Sequence, residues 1–328
     1  MELITGQQPL PEHLAGGVAA LGNFDGFHPG HQAVVRRAGE LAAACGRPLL
    51  VITFDPHPAR FFRPDEPSFQ LTSIAERARL LEAFGVDALV VLPFDAALAA
   101  LSPEEFFQTV LIERLRLKGV TSGYDFTFGK SRSGTTETLQ ALAAANGMES
   151  AIVAPVRTEG DEVVSSTLVR RKLAEGDVAA AARLLGRWWA IEGVVEGGDQ
   201  RGRTINFPTA NVTLGDYSRP RYGVYAIRMI LPDGRVIEGV ANIGIRPTFT
   251  PPRELLEAHL FDFSGDLYGQ NVRVELIEFI RPEMRFDGLD ALRSQISIDC
   301  ATALKILRQP GYGHNRFKPP RPLAKARA

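Results

Sequence analysis

The sequence predicts two folded domains: an α/β N-terminal domain with a Rossmann-like parallel sheet, and a C-terminal small antiparallel β-barrel with a closing helix. Three observations predict this division. The chain has 328 residues, enough for about two domains of ordinary size. Its first half alternates short apolar runs with helical patterns, whereas its second half alternates strands with turns. The pattern changes near Gly186 and Arg187, so we expect domains over 1–186 and 187–308, followed by a disordered basic tail over 309–328.

In the first half, apolar runs predict parallel strands, and amphipathic stretches predict the helices between them. The run at 49–54 is apolar almost throughout, as is typical of a strand covered on both faces. Ser73 precedes Glu76 at the spacing of a capping box, which predicts the start of a helix. The predicted strands cover 18–21, 49–54, 88–92 and 119–123, and the predicted helices cover 32–44, 73–84, 103–114 and 166–185, the last broken at Gly176 and Asp177.

From residue 191 onward, apolar and polar residues alternate with the period of strands. The segment Pro232-Asp233-Gly234 has the composition of a tight turn between two of them. Several short antiparallel strands followed by one helix favour a small closed barrel. The predicted strands cover 191–195, 222–229, 236–242, 255–261 and 272–279, and the helix covers 289–307.

The composition excludes several classes of protein. A net charge of −1 lacks the basic excess of a nucleic-acid binder, so we expect no nucleic-acid partner. No apolar run is long enough to span a membrane, and the first residues lack the pattern of a signal peptide. Cys45 and Cys300 are too isolated for a disulfide framework. We therefore expect a protein of the reducing cytoplasm, and the sequence carries no prediction of its oligomeric state.

The segment GNFDGFHPGH at 22–31 follows a predicted strand and opens a helix. This position directs backbone N–H groups and a helix N-terminus at an anion. His28 and His31 can both donate hydrogen bonds to phosphate oxygens, and Gly30 leaves room for a phosphate to approach. Donors fixed beside the α-phosphorus of a nucleoside triphosphate stabilise the charge that develops there during nucleotidyl transfer. The segment therefore predicts a triphosphate site.

Two alternatives concern the histidines. His28 and His31 could ligate zinc together with His57, but no cysteine or carboxylate stands at ligand spacing, which argues against a zinc site. His57 follows the second predicted strand, so it lies at the ligand-binding edge of the sheet. Its other interpretation is a turn residue held between Pro56 and Pro58.

Two further segments add candidate nucleotide contacts. The segment GYDFTFGK at 123–130 follows the fourth predicted strand and places Asp125 at the same edge of the sheet. The segment VSSTLVR at 164–170 offers hydroxyl groups and the Arg170 guanidinium at the start of a helix, a combination suited to triphosphate oxygens. Its alternative interpretation is an ordinary helix N-cap.

A second constellation lies in the predicted barrel. A loop rich in glycine and arginine at 197–203 leads to Pro208-Thr209-Ala210-Asn211. The Thr209 hydroxyl and the Asn211 carbonyl oxygen are hard ligands that suit Mg²⁺. Glu257 stands between apolar neighbours, so it faces away from Leu256. An acidic side chain that faces the mouth of the barrel could accept the proton of a hydroxyl that attacks a γ-phosphate. Its alternative interpretation is a solvent-facing strand residue.

The order of these motifs resembles one family. GNFDG with HPGH, then TFDPHP, FTFG and SST, is similar to the adenylyltransferase module of bacterial bifunctional riboflavin kinase/FAD synthetases. PTAN, then NIGIRPTF, EAHL, GDLYG and RPEMRF, is similar to the riboflavin kinase module of the same family. The resemblance extends from Gly17 to Ala303, and it implies a nucleotidyltransferase domain followed by a riboflavin kinase-like barrel.

The resemblance also implies substrates and residue roles. Riboflavin is phosphorylated by ATP to FMN, and FMN is then adenylylated by ATP to FAD with release of pyrophosphate; Mg²⁺ is the implied cofactor. Glu257 is the implied base on the ribityl hydroxyl, and Thr209 and Asn211 are the implied metal ligands. The implied ATP contacts of the adenylyltransferase are His28, His31, Gly22, Asn23, Phe24, Asp25, Gly30, Asp125, Ser165, Ser166, Thr167 and Arg170, and those of the kinase are Gly202, Arg203, Thr209 and Asn211.

Two positions depart from the family pattern. Leu168 stands where many relatives carry a basic residue, which removes one phosphate contact. Asn206 replaces a glycine, and asparagine tolerates the left-handed backbone better than other side-chain-bearing residues.

We predict a bifunctional enzyme whose partners are riboflavin, FMN, FAD and ATP, with no membrane partner. The alternatives are a riboflavin kinase with an impaired or inactive adenylyltransferase domain and a non-catalytic flavin-binding regulator.

Overall fold

The computed structural model describes residues 1–6, 8–197, 207–246, 253–313, 317 and 323. The described residues form two compact units. The first unit contains those within Met1–Glu66, Ile74–Ser165 and Pro319–Ala328, and the second contains those within Pro67–Ser73 and Ser166–Lys318. A short piece of the N-terminal half thus belongs to the second unit.

The first unit is built on a parallel sheet of six strands in the order β1-β4-β3-β2-β5-β6. The predicted α/β fold is confirmed. Strand β1 was not predicted, because it lies at the sheet edge and most of its side chains are exposed, so it shows no apolar run. The strands are β1 (Glu2–Thr5), β2 (Val18–Leu21), β3 (Leu49–Asp55), β4 (Ala88–Pro93), β5 (Gly119–Gly123) and β6 (Glu149–Val153).

Helices connect these strands. The first helix begins three residues before its predicted start because Pro29 occupies its first turn, where the missing N–H is no loss. Gly46, with φ of 61°, ends it in the left-handed conformation. The helices are α1 (Pro29–Cys45), α2 (Pro58–Phe62), α3 (Ile74–Phe84), α4 (Ala96–Ala100), α5 (Pro103–Glu105, continued by π-helical turns over Phe106–Arg114) and α6 (Thr136–Ala145).

The second unit begins with two helices, α7 (Ser166–Glu175) and α8 (Val178–Leu185). The predicted break between them is confirmed: Gly176 has φ of 85°, and Asp177 accepts a hydrogen bond from the Ala180 N–H at 2.9 Å. A closed antiparallel barrel of six strands follows, in the order β10-β11-β8-β7-β12-β9. Its strands are β7 (Ala190–Glu196), β8 (Ala210–Thr213), β9 (Gly223–Ile230), β10 (Val236–Arg246), β11 (Arg253–Leu260) and β12 (Asn271–Arg281).

The barrel interior is apolar, and a long helix covers one side of it. Leu256, Ala258 and Val212 are buried in a core that the barrel strands share with α7 and α8. The predicted closing helix is α9 (Leu289–Leu307), whose Ala303 and Leu307 pack against apolar residues of β9, β10 and β12.

A strip of the N-terminal half, Pro67–Ser73, is held in the second unit. Gln70 forms a parallel bridge with Tyr217, and the buried Trp189 indole donates a hydrogen bond to the Leu71 carbonyl at 2.9 Å. We call this segment the 67–73 strip.

The first residues of the predicted tail contact the second unit. Pro310–Tyr312 forms a 3₁₀ turn, and the Tyr312 hydroxyl donates to Glu278 at 2.6 Å. The Phe317 ring packs edge-on against Trp188. In the first unit, the Leu323 N–H donates to the Phe84 carbonyl at 2.9 Å. The prediction of disorder for 314–316, 318–322 and 324–328 falls outside the described residues.

None of the helices in the described part of the chain has both the length and the hydropathy that a membrane-spanning segment requires.

Candidate functional site

The loop after β2 and the loop after β5 flank the point where the strand order of the sheet reverses. From β2 the chain builds outward through β3 to β4, and it then returns to place β5 on the other side of β2. Open parallel sheets bind ligands in the crevice at such a point, beyond the carboxyl ends of the strands. Gly22–His28 follow β2, and the exposed Asp125 follows β5. Both predicted segments therefore lie at the edge where a ligand is expected.

His28 and His31 form a stacked pair at the N-terminus of α1. Their ring centroids are 3.7 Å apart with an interplanar angle of 24°. His28 is the N-cap residue of α1 and is only 5% exposed, and the Phe24 ring contacts His31 edge-on at 5.3 Å. Two imidazoles thus lie beside the free N–H groups of a long helix, where an anion is stabilised.

Gly30 lies against the His28 ring. A Cβ added at position 30 would stand 3.0 Å from His28 Cε1 and 3.4 Å from the Val164 carbonyl oxygen. A side chain there would therefore displace the imidazole. A Cβ added at Gly22 would likewise lie only 3.3 Å from the Phe24 ring. Val164, which directly precedes the SST motif, therefore lies beside the first turn of α1.

The SST motif spans the division between the units. Ser165 is the last residue of its segment in the first unit, whereas Ser166 and Thr167 begin α7 in the second. Arg170, also on α7, donates from Nε to the Phe69 carbonyl at 2.7 Å and covers the Phe69 ring. Leu168 is buried with an exposure of 6%. Leu168, which the sequence analysis marked as a departure from the family pattern, therefore packs into the interior of the protein.

His57 has a local structural partner. Its Nδ1 accepts a hydrogen bond from the Ala59 N–H at 3.1 Å and caps the short helix α2. Among the described residues, no three His, Cys, Asp or Glu side chains form a group that could hold a metal ion. The N-cap contact agrees with the interpretation of His57 as a turn residue.

Four phenylalanine rings form an aromatic cluster at the carboxyl ends of β3 and β4, a feature that the sequence analysis missed. Phe94 lies at the centre, with ring centroids at 5.4 Å to Phe61, 5.8 Å to Phe62 and 5.8 Å to Phe54. The Phe62 side chain is 62% exposed, although apolar residues of this size are usually covered. The signal in the sequence was the pair Phe61-Phe62, which ends the short helix α2 that follows β3.

In the second unit, polar residues form a row across neighbouring barrel strands. Register places Asn242 of β10 opposite Glu257 of β11, Glu257 opposite Asn211 of β8, and Asn211 opposite Glu196 of β7. Directly opposed residues on antiparallel strands share a face. The neighbours of Glu257, Leu256 and Ala258, are in the barrel core, so the row faces the outside of the barrel.

Glu257 is paired with an arginine. The Arg246 guanidinium donates to Glu257, and its other terminal nitrogen lies 3.6 Å from Glu283. Asn242 donates to the same Glu283 carboxylate at 3.1 Å. Burial lowers the pKa of Arg246, while Glu283 acts in the opposite direction. Arg246 thus connects the half-buried Glu257 carboxylate with the exposed Glu283 carboxylate at the end of the polar row.

Asn211 provides an oxygen that suits a hard cation. Its Oδ1 is buried, and no residue in the described part of the chain donates a hydrogen bond to it. Thr209 is half-buried at the entrance to β8. The preceding segment is fixed by His259, whose Nδ1–H donates to the Pro208 carbonyl at 3.0 Å and whose ring contacts Phe207. A buried amide oxygen next to a threonine hydroxyl fits the ligand preference of Mg²⁺. Gly202, Arg203 and Asn206 lie outside the described residues.

The two folds and the two sets of side chains define a two-domain transferase, with an α/β nucleotide-type site in one unit and a polar barrel site in the other. Family models agree with this division: that of FAD synthetase matches residues 10–168, and that of riboflavin kinase matches residues 185–307. The chain therefore belongs to the bifunctional riboflavin kinase/FMN adenylyltransferase family.

Curated relatives resemble the chain over almost its whole length. The bifunctional riboflavin kinase/FMN adenylyltransferase of Escherichia coli K12 is 40% identical over 306 residues, which cover 92% of this chain and 97% of that protein. The Bacillus subtilis protein of the same name is 38% identical and covers 90% of this chain and 94% of its own.

A solved structure described as a macrolide-efflux protein from Streptococcus pneumoniae has a TM-score of 0.80 and 33% identity, covering 91% of this chain and 97% of that one. The two chains therefore share a fold across both units.

Proposed function

We propose how the two units of this bifunctional flavin-synthesis enzyme divide its reactions. The barrel unit transfers the γ-phosphoryl group of ATP to riboflavin, giving FMN and ADP. The α/β unit then transfers the AMP group of a second ATP to the FMN phosphate, giving FAD and pyrophosphate. The proposed adenylyltransferase domain covers 1–186 and the kinase domain 187–308, and the two free cysteines suit a cytoplasmic enzyme.

The stacked pair of His28 and His31 carries the proposal for the α/β unit. An FMN phosphate oxygen attacks the α-phosphorus of ATP, and the bond to pyrophosphate breaks. Negative charge gathers on the α-phosphate oxygens as this happens, beside the imidazoles and the N-terminus of α1. The transfer needs no covalent intermediate, because positioning of the reactants and stabilisation of the developing charge supply the catalysis.

The aromatic cluster around Phe94 supports a flavin position in the same unit. The exposed Phe62 ring offers a flat apolar surface at the carboxyl edge of the sheet, next to the strand end that leads to His57. Flat ring systems gain free energy by stacking on such a surface. We place the isoalloxazine ring of FMN there, with its phosphate directed toward the loop after β2.

The polar row carries the proposal for the barrel unit. Glu257 accepts the proton of the ribityl hydroxyl while that oxygen attacks the γ-phosphorus and ADP leaves. Arg246 holds the carboxylate in place before substrate arrives, and the hydroxyl then takes over this contact. Thr209 and Asn211 would hold Mg²⁺, which neutralises charge on the β- and γ-phosphates when it is bound.

One experiment separates the two sites. Riboflavin is incubated with Mg²⁺ and ATP, and FMN and FAD are measured separately for wild type, His28→Ala and Glu257→Ala. We expect His28→Ala to accumulate FMN, with FAD formation reduced by about 10²-fold, the usual effect of losing one transition-state donor. We expect Glu257→Ala to make FAD only when FMN is supplied.

Matched controls exist for both variants. His13 is an exposed histidine of the first unit, bonded to Glu2, and His13→Ala should leave FAD formation unchanged. Glu192 is a half-buried barrel glutamate that lies near an arginine, as Glu257 does, and Glu192→Ala should retain kinase turnover. Phosphorylation of riboflavin by Glu257→Ala at the wild-type rate would disprove the assigned base.

A kinase with a silent first domain is the alternative that the departure of Leu168 from the family pattern raised, and the Leu168 side chain is buried. It predicts that the wild-type protein accumulates FMN and releases no pyrophosphate. Formation of FAD by the wild type excludes it.

A further inference from the structure

A buried arginine lies on α3, behind the loop that carries the first motif. The Arg77 side chain is only 4% exposed, and it lies on the same helix face as the buried Leu81 and Phe84. Removing a guanidinium from water is unfavourable, so a buried arginine persists only where carboxylates or hydrogen-bond acceptors compensate it. Its partners therefore indicate what it does.

Two of its partners, Thr53 and Asp25, connect it to one short turn, from Asn23 to Phe27. Arg77 donates from Nη1 to the Thr53 hydroxyl at 3.0 Å, and that hydroxyl donates to the Asn23 carbonyl at 3.0 Å. The other terminal nitrogen of Arg77 lies 3.8 Å from Asp25 Oδ1. Thr53 and Asp25 are themselves buried. One side chain thus reaches Asn23 through a hydroxyl and Asp25 through its charge.

The turn needs such support because its backbone is strained. Phe24 and Phe27 have φ of 49° and 38°, in the left-handed region that side-chain-bearing residues seldom occupy, and Gly26 has φ of 83°. A conformation of this kind persists only where the surrounding structure imposes it. The turn leads directly into His28, the N-cap of α1, so its shape sets the direction of the stacked imidazoles.

Charge gives a second reason for the arginine. Asp25 is a buried carboxylate in a loop proposed to bind an anionic triphosphate, and its negative charge alone would repel that ligand. Burial lowers the pKa of Arg77, whereas Asp25, Asp55 and Glu76 raise it. The three carboxylates act against the effect of burial, and the guanidinium, 3.8 Å from Asp25, in turn offsets the charge of that carboxylate.

We propose that Arg77 is a positioning residue of the adenylyltransferase site, which shapes the turn from Asn23 to Phe27 through Thr53 and neutralises Asp25 so that a nucleoside triphosphate can bind. This inference rests on the proposed role of the first unit. Arg77 touches no reacting atom and acts through the loop.

The test compares Arg77→Met, Arg77→Lys and Thr53→Val with Arg79→Met, an exposed arginine on the same helix. Each purified full-length variant is assayed for FAD formation from FMN, with kcat and the KM for ATP and FMN determined separately. Riboflavin phosphorylation by the same preparation reports on the second unit as an internal reference.

We expect Arg77→Met to raise the KM for ATP by at least about tenfold, the effect of losing a charged hydrogen bond, with the KM for FMN and the kinase turnover within about twofold of wild type. Arg77→Lys keeps the charge and should recover part of the ATP affinity. Thr53→Val removes only the hydroxyl relay and should raise the KM for ATP by a few-fold. Arg79→Met should behave as wild type.

Partial unfolding gives a different result, because it lowers kcat through loss of active protein and leaves the KM for ATP unchanged. A lower kcat with an unchanged KM for ATP in Arg77→Met would overturn the inference. If Arg77→Met does not fold, the same result in both Arg77→Lys and Thr53→Val would overturn it. A wild-type protein that makes no FAD from FMN would instead overturn the proposed function of the first unit.

Discussion

Gly30 and His28 depend on each other at the scale of single residues. Alanine is a better helix former than glycine, so a substitution at position 30 favours α1 by its helix propensity. The added Cβ would nevertheless stand 3.0 Å from His28 Cε1, closer than ordinary contacts allow. Activity and stability should therefore respond differently to the same methyl group.

We expect Gly30→Ala to lower FAD formation from FMN by about tenfold or more, because displaced donors lose transition-state stabilisation. Riboflavin phosphorylation should stay at the wild-type level. Gly160→Ala is the matched control, since Gly160 is exposed and its Cβ position lies 3.8 Å from the Thr158 hydroxyl oxygen, an ordinary contact distance. Thermal unfolding followed by circular dichroism checks that the first unit remains folded. Unchanged FAD formation would mean that the imidazole position is not set by Gly30.

The candidate residues predicted from the sequence all belong to short motifs. Residues whose contacts join distant parts of the sequence were missed. His28, His31, Asn211 and Glu257 stand in local patterns whose chemistry is legible. His259, which fixes Pro208, and Phe62 with its aromatic neighbours depend on contacts made only after folding. For Arg77 a signal was present, since a charged residue occupies the apolar face formed by Leu81 and Phe84, but nothing local indicates Thr53 and Asp25 as its partners.

At the scale of elements, Gly176 determines how α7 turns into α8. Its φ of 85° requires the left-handed conformation, and a Cβ there would lie 3.2 Å from Arg221 Cδ and 3.4 Å from the Phe279 ring. Gly186, which ends α8, also has a positive φ of 72°, but no atom of the described residues lies within 4 Å of its Cβ position. Substitutions at these two glycines therefore distinguish the cost of backbone strain alone from the cost of strain combined with steric crowding.

We expect Gly176→Ala to destabilise the second unit by about 2 kcal/mol and Gly186→Ala by about 1 kcal/mol, since only the first adds a steric clash to the backbone cost. Urea unfolding followed by tryptophan fluorescence measures the difference, because Trp188 and Trp189 are both buried in this unit. Equal losses for the two variants would show that Arg221 and Phe279 move aside at no cost.

Most helices and strands could be predicted because their hydrophobic period is strong. The ones that were missed are short or largely exposed. Strand β8 has four residues and follows a proline-containing segment that was interpreted only as a metal-binding turn, so its pairing with β11 was not predicted. Helix α6 was not predicted either, although Thr135 caps it by accepting from the Thr138 N–H. The pattern of β12 extended to Arg281, two residues beyond the predicted end, because pairing with β9 continues past irregularities in the register.

At the scale of the whole molecule, the two reactions use separate sets of side chains, and FMN is the product of one and the substrate of the other. If FMN leaves the barrel site before it reacts again, two singly defective proteins should complement each other. We expect a mixture of His28→Ala and Glu257→Ala to convert riboflavin into FAD, with a lag while FMN accumulates.

Chromatography of the flavins over time measures this lag. Each variant alone provides the control, since Glu257→Ala should make no FAD from riboflavin and His28→Ala should make it about 10²-fold more slowly than wild type. A mixture that makes no FAD, although Glu257→Ala adenylylates added FMN, would show that FMN passes only within one chain.

The division into two units was predicted from the change of hydrophobic period, but the membership of the 67–73 strip was not. Its bridge joins Gln70 to Tyr217, 147 residues later (217 minus 70), and no local pattern reports such a pairing. The predicted domains meet between 186 and 187, whereas the second compact unit begins at Ser166 and also includes the strip.

The strip has a consequence for recombination between relatives. A chimera joined at residue 186 would combine one parent's strip with the other parent's barrel, and the Trp189 indole would then depend on a foreign Leu71 position for its acceptor. A buried N–H left without an acceptor costs about 1–3 kcal/mol. Because the second unit consists of two separate stretches of the chain, the seven residues of Pro67–Ser73 and the segment Ser166–Lys318, no single crossover point exchanges it whole.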